Sequence, residues 1–265
     1  MNYNNNLAND IWFGEVNKNA NSYSIRSKIA QSSSCAEKVL AVAEGLKLGD
    51  FSFKKDLVSL LHTSREDNVI NLCIRLFAST ATHNDLVDDN NLAFLATANQ
   101  TAIEAFVTSA TDFMSIFVIS YLLAILEEWD DTEIGVSIRD QLDEYLDMYA
   151  ALGEACRLDE IGAFCVEKIP QYDKSTYYSK GNAAFPGDLT KTLSGRAFQA
   201  LQSGDCLKMS IIPERLSIWS GNRCPASYNT VVTQRVYKQI LQYIDELSRQ
   251  KWLRGKKYFY GHEVR

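Results

Sequence analysis

The sequence predicts an all-α fold, and two observations support this class. All four prolines lie after residue 169, and a stack of helices tolerates such a proline-free stretch best, because an interior proline costs a helix about 3 kcal/mol. Apolar residues in that stretch recur at three-to-four spacing, and short polar turns such as Gly49-Asp50 separate the segments. We therefore expect helical hairpins joined by short loops.

Seven helices are predicted before residue 170, at 36–48, 53–61, 67–77, 99–113, 115–129, 131–149 and 159–169. Each carries its apolar residues on one side, and Asp159 is the expected N-cap of the last. Read in pairs, the helices begin about every 32 residues, a period within the range of an α-solenoid. An irregular helical bundle is the alternative.

Three regions are predicted along the chain. Residues 1–30 are rich in Asn and Ser and form an N-terminal extension whose order the sequence leaves open. Residues 31–169 form the helical-repeat body. Residues 170–265 are rich in Tyr, Gly and Pro, and there we expect loops, one helix at 188–202 and a long terminal helix at 230–252, all packed on the body.

The absence of sorting features predicts a cytoplasmic protein. The first residues have no basic and apolar signal pattern. The six cysteines form no C-x-x-C pair, which favours reduced thiols. The apolar stretch 113–126 is shorter than the ~20 residues that span a bilayer, so it reads as a buried helix. We expect no membrane partner and, from the net charge of −6, no direct nucleic-acid partner.

Charge is distributed very unevenly along the chain. Residues 84–160 hold 17 acidic side chains, only Arg139 and Arg157 as bases, and no lysine, a net of −15; residues 1–83 are at +1 and residues 161–265 at +8. Solvated helix faces and helix caps are the ordinary explanation, but compensating lysines one helical turn away are missing. This pattern predicts a surface that binds a basic partner.

The predicted partner-binding residues lie at the end of helix 115–129, along helix 131–149, in the loop between them and in the turn at 88–91. Four of them share the face of helix 131–149 opposite its apolar stripe, while Trp129 is either a core residue or an aromatic anchor. This set, called the acidic surface below, is Asp88, Asp89, Glu127, Glu128, Trp129, Asp130, Asp131, Glu133, Asp140, Asp143, Glu144 and Asp147.

Catalytic chemistry finds little support in the sequence. Neither a G-x-S-x-G nucleophile motif nor a glycine-rich phosphate loop is present, so we predict no enzyme, no cofactor and no metal. One alternative is a helical metallohydrolase that uses His83, Asp85, Asp88 and Asp89, although it would need more histidines on neighbouring helices and a turn with capping aspartates is the ordinary explanation of that cluster. Another alternative is a general helical scaffold with several weak partners.

Several stretches resemble HEAT-like all-α immunity proteins of bacterial polymorphic-toxin and contact-dependent growth-inhibition systems. They are NLCIRLF at 71–77, THND at 82–85, YLLAILEEW at 121–129, LSIWSG at 216–221 and YFYGH at 258–262. The resemblance implies a non-enzymatic protein that binds and blocks a cognate toxin in the producing cell. Many such toxins are basic nucleases, so the acidic segment would mimic the charge of their substrate.

Overall fold

The computed structural model describes residues 3–14, 16–17 and 19–265, with side chains from Leu7 onward. Helices dominate the described chain, which confirms the predicted all-α class. The first nine helices, α1 to α9, are Tyr3–Phe13, Ser22–Gln31, Cys35–Lys47, Lys54–Thr63, Asp67–Thr80, His83–Val87, Asp89–Leu92, Gln100–Thr108 and Ala110–Phe113. Short 3₁₀ turns at Phe51–Phe53 and Ala93–Thr97 join some of them.

Four further helices complete the first 168 residues. These helices, α10 to α13, are Val118–Trp129, Glu133–Leu146, Met148–Leu152 and Leu158–Lys168, followed by a 3₁₀ turn at Ile169–Gln171. Helices α10 and α11 pack against each other as a hairpin, as do α2 with α3 and α4 with α5. The regular period and the region boundaries stay predictions.

Three predicted helices are shorter than the periodicity suggests. The helix at 99–113 breaks at Ser109, whose hydroxyl donates to the Ala105 carbonyl at 2.7 Å and so competes with the helical ladder. Helix α10 starts three residues late, because Met114 is in the left-handed conformation with φ 57°. Helix α11 ends before Asp147, which is also left-handed with φ 54°.

The expected N-cap Asp159 is wrong by two residues. Helix α13 begins at Leu158, and Arg157 occupies the cap position. The Arg157 backbone N–H donates to the Glu160 carboxylate at 2.8 Å, while Asp159 pairs with the Arg157 guanidinium. Carboxylates in the first turn thus serve the helix dipole and the cap position together.

The C-terminal region holds more regular structure than its composition predicts. It contains α14 (Pro186–Ser203), α15 (Ile211–Ser220) and α16 (Gln234–Ser248), with two hairpins, β1 (Tyr178–Ser179) with β2 (Asn182–Ala183) and β3 (Tyr258–Phe259) with β4 (His262–Glu263). The pattern does not predict α15, since Pro213 lies in it; the first turn tolerates proline because its N–H groups have no helical partner.

The terminal helix is shorter than predicted, and the chain does not end in it. Thr233 caps α16 at its start, and the Trp252 indole N–H donates to the Leu247 carbonyl at 2.8 Å just beyond its end. The β3–β4 hairpin follows, and its Phe259 is fully buried. Antiparallel pairing in this hairpin joins Tyr258 to Glu263 and Phe259 to His262.

Three clusters of buried side chains hold these elements together. The main core runs through the helices from α1 to α13 and includes Phe259 and Val264 from the end of the chain. A second core lies among α14, α15 and α16. A small third cluster, in which Met114 meets Tyr177, Trp219 and Tyr258, joins the two.

A buried lysine fixes the last hairpin to the body. The Lys257 side chain is 1% exposed, and its ammonium group donates to the carbonyls of Ala78, Ala81 and Phe113. Burial lowers the pKa of Lys257 far below its usual value, yet all three of its donors have acceptors. Removing either the ammonium group or the carbonyl acceptors would leave buried polar groups without partners and would destabilise the fold.

Among the described residues, no helix is long and apolar enough to cross a membrane. The apolar stretch predicted as a buried helix is divided between α9 and α10, and Phe113, Val118 and Leu122 in it are fully buried. All six cysteines carry free thiols.

Candidate functional site

The turn between α10 and α11 carries the densest group of carboxylates. Thr132 caps α11 by accepting from the Gly135 N–H at 3.3 Å. A β-carbon at Gly135 would lie 2.4 Å from the carbonyl oxygens of both Trp129 and Asp130, so only glycine fits this close turn. The turn therefore holds the acids on either side of it in a fixed geometry.

Six members of the acidic surface are exposed and carry no ion pair or side-chain hydrogen bond to any described residue. Four of them, Glu127, Glu128, Asp131 and Glu133, flank the α10–α11 turn. Asp147 follows the other end of α11, and Asp89 begins α7. Six carboxylates without counter-charges leave a strongly negative surface open to solvent.

Other members of the acidic surface have structural partners. Asp88 caps α7 by accepting from the Asn90 N–H at 3.1 Å, and Asp130 pairs with the Arg139 guanidinium. Asp143 accepts from the Tyr149 N–H at 2.7 Å and supports the start of α12. The ordinary explanation given above, helix-capping acids, thus describes Asp88 and Asp143, whereas Asp130 is held by an ion pair.

Asp140 and Glu144 are intermediate between the six unpaired acids and the acids with structural partners. Asp140 accepts from the Tyr149 hydroxyl at 3.0 Å, and burial together with this carboxylate raises the pKa of Tyr149. The Glu144 carboxylate lies 3.6 Å from the Lys180 ammonium, and its Oε1 atom is buried with no hydrogen-bond partner among the described residues.

The acidic surface extends over more than one patch. Helix α11 rises about 1.5 Å per residue, so Glu133 and Glu144 lie about 16 Å apart along its axis. Asp88 and Asp89 lie near Tyr121 on α10, where burial and these two carboxylates raise the pKa of the phenol. The surface is therefore a strip along the α10–α11 hairpin, with a separate group at α7.

Trp129 is in contact with both the main core and solvent. Its side chain is half-buried and packs against the main core, and its carbonyl accepts from the Thr132 hydroxyl at 2.7 Å. The core alternative thus describes most of this side chain.

The structure does not bring together the metal cluster of the metallohydrolase alternative, His83, Asp85, Asp88 and Asp89. The described residues contain no group of three or more His, Cys, Asp or Glu side chains that could hold a metal ion. Asp85 pairs with Lys54 and caps α6 together with Thr82, which holds the pKa of its carboxyl below the usual value although burial opposes this. His83 contacts the Ser115 hydroxyl through its Nδ1 and stacks on Tyr177.

A cavity at the end of the acidic strip escaped the sequence analysis. It has a volume of about 570 Å³ and lies between Glu144 of α11, the β1–β2 hairpin and the starts of α14 and α15. Its walls combine apolar side chains such as Leu189 and Ile211 with charged ones such as Lys180 and Arg215. No local pattern could reveal it, because its lining comes from residues 144 to 228.

Comparison with known proteins identifies the family. Residues 7–264 match the family Immunity protein 47, which is nearly the whole chain.

The chain belongs to the Immunity protein 47 family.

Membership in an immunity-protein family implies that the chain binds a cognate toxin, and it agrees with the coarser part of the sequence-based resemblance. No curated protein and no solved structure matches this member of the Immunity protein 47 family. Contacts to the toxin must therefore be argued from the geometry above.

Proposed function

We propose that this immunity protein binds a basic toxin domain, a nuclease, through the acidic surface and blocks the face that binds nucleic acid. One observation carries the proposal: six exposed carboxylates with no described counter-ion, four of them flanking the rigid α10–α11 turn. A nuclease surface that binds phosphate is positive, and complementary charge raises the rate of association.

The mechanism in this proposal is occlusion without catalysis. The carboxylates would take the positions that phosphates take on the toxin, and the body of the protein would exclude the substrate. Because a nuclease acts on nucleic acid inside the cell, the complex would form in the cytoplasm. Delivery of the toxin by a contact-dependent growth-inhibition or related polymorphic-toxin system belongs to the same proposal.

Desolvation limits what the charges can contribute to affinity. Exposed carboxylates lose hydration when they pair, so each exposed ion pair adds on the order of 1 kcal/mol or less. Their main contribution is to the association rate, which falls as salt screens the charges over about 10 Å at 0.1 M ionic strength. We therefore expect steep salt dependence in association and little in dissociation.

The test is association of this chain with the toxin domain encoded beside it. In the triple variant Glu128→Lys, Asp131→Lys and Glu133→Lys, association at low salt should slow by about tenfold or more. None of these three side chains bonds to a described residue, so folding should be preserved. Stopped-flow mixing at several salt concentrations measures the rate.

A matched control separates a local effect from one of net charge. The variant Glu66→Lys, Glu167→Lys and Glu246→Lys changes the net charge by the same amount at exposed positions outside residues 84–160. It should retain most of the wild-type rate. Equal slowing in both variants would reduce the effect to net charge, and unchanged rates in both would refute the acidic-surface model.

A further inference from the structure

We propose that the cavity beside Glu144 receives a peptide segment of the toxin, whose large apolar side chain anchors the complex that the acidic surface steers. This inference rests on the proposed function and adds the site that slows dissociation. Apart from Glu144, the lining of the cavity belongs to the C-terminal region, which contains no residue of the acidic surface.

The size and walls of the cavity suit a protein side chain. Its volume of about 570 Å³ falls within the usual range for ligand pockets, about 300–1,000 Å³. Two of its lining residues, Ile211 and Tyr228, are 48% and 52% exposed, so they leave apolar area in contact with water. Contacts with a partner would remove this apolar area from water.

Two polar atoms of the lining lack hydrogen bonds, and they are of opposite kinds. Arg215 is 5% exposed; its terminal nitrogens donate to the Ser179 hydroxyl and the Thr111 carbonyl, and one of them lies 3.6 Å from the Asp112 carboxylate, but its Nε–H has no acceptor. Glu144 offers the reverse, because its buried Oε1 has no donor. A buried polar group without a partner destabilises the free protein, so a ligand that satisfies both atoms gains from each.

A peptide segment supplies both kinds of partner. Its carbonyl groups accept and its N–H groups or basic side chains donate, whereas a simple anion would satisfy Arg215 and repel Glu144. Helix α15 also starts at the cavity, and Ser210 does not cap it through a side chain. The N–H groups of Ile211 and Ile212 in its first turn offer further donors to peptide carbonyls. Both unpaired atoms are shielded in the free protein, so docking involves the rotamer changes that are common on binding.

Position connects the cavity with the acidic strip, while its own lining mixes three basic side chains, Lys180, Lys208 and Arg215, with two acidic ones. Glu144 belongs to both, and Asp140 and Asp147 lie on the same helix or directly after it. A basic toxin that approaches the strip would therefore bring a neighbouring segment to the mouth of the cavity. The expected segment carries a large apolar residue and donates to Glu144 through a backbone N–H, since the Glu144 carboxylate already lies 3.6 Å from the Lys180 ammonium.

Two variants close or spoil the cavity without removing a buried group. Thr192→Trp places a large ring in the cavity from an exposed position on α14, and Ile211→Asp puts a charge on its half-exposed wall. Each should raise the dissociation rate from the purified toxin domain at least tenfold and leave the association rate within about twofold. Surface-immobilised binding kinetics measure both rates.

Matched controls make the same chemical changes away from the cavity. Gln199→Trp adds a ring to an exposed position of α14, and Leu241→Asp adds a charge at a 41% exposed leucine of α16. Both should dissociate like wild type. Melting temperatures check that each variant folds. The two cavity variants lie on different helices, so the variant that keeps the wild-type melting temperature is the one whose dissociation rate tests the inference.

The outcomes separate the inference from the proposed function. If the cavity variants bind like wild type while the Glu128, Asp131 and Glu133 reversal slows association, the inference is overturned and the proposed function stands. Faster dissociation in the controls as well would also overturn it. If the wild-type chain binds no toxin domain, both fail together.

Discussion

The folded protein keeps His83 neutral, so the free energy of unfolding should fall in mild acid, where this ring would otherwise take up a proton. Its Nδ1 lies 2.8 Å from the Ser115 hydroxyl, its ring stacks on Tyr177 at 4.1 Å, and its Nε2 is buried with no hydrogen-bond partner among the described residues. Burial, helped by the nearby Lys257 charge, lowers the pKa of His83 to about 4. The ring thus joins the body to the C-terminal region as a neutral group.

Stability changes with pH in the direction set by which state, folded or unfolded, binds the proton at the higher pH. In the unfolded chain the ring takes up a proton near pH 6.5, while the folded protein resists until about pH 4. Stability is therefore full above pH 6.5 and is lost as the pH falls toward 4. The whole shift corresponds to about 3 kcal/mol, and because part of the ring is exposed, screening reduces this to about 2 kcal/mol. Roughly half of that is lost by pH 5.

Urea unfolding at pH 7.5 and pH 5 measures this loss in wild type and in His83→Gln. The glutamine cannot take up a proton, so its free energy of unfolding should fall by about 1 kcal/mol less than that of wild type over this range. The control His62→Gln removes an exposed histidine and should keep the wild-type pH dependence. Equal losses in wild type and His83→Gln would refute this account of the His83 environment.

Two further substitutions test how the structure holds the site. Gly135→Ala should lower the free energy of unfolding by about 2 kcal/mol or more, because its new methyl group would meet two backbone carbonyls. The control Gly195→Ala faces open space on α14 and should be neutral or slightly stabilising. Chemical denaturation measures both. Lys257→Met should cost about 3 kcal/mol in thermal unfolding, since three buried carbonyls lose their donor. Lys256→Met serves as its control, and equal melting temperatures for the two would contradict this role of the buried ammonium.

The periodicity located most helices of the body but misplaced several ends. Helix α5 begins at the predicted Asp67 because an amphipathic stripe and a polar turn coincide there. The ends at Ser109 and Asp147 depend on side-chain bonds and on left-handed residues, which a periodic pattern does not register. Helix α15 was hidden for a similar reason, since a proline in its first turn reads as a helix breaker.

The candidate site divides in the same way. Local sequence indicated the carboxylates of 127–133, because adjacent acids without lysines are visible in a line of letters. It could not tell that Asp130 and Asp143 are bound to Arg139 and to the Tyr149 N–H, since those partners are set by how the turns close.

The sequence by itself determined the helical class and the charge of residues 84–160, because both follow from residue type and spacing along the chain. Only the tertiary structure decided which acids stay free and where the cavity between Glu144 and Arg215 lies. The physical reason is distance along the chain. Helix formation and charge density are local, whereas that cavity depends on α11 meeting α14 and α15, which begin 40 or more residues after α11 ends.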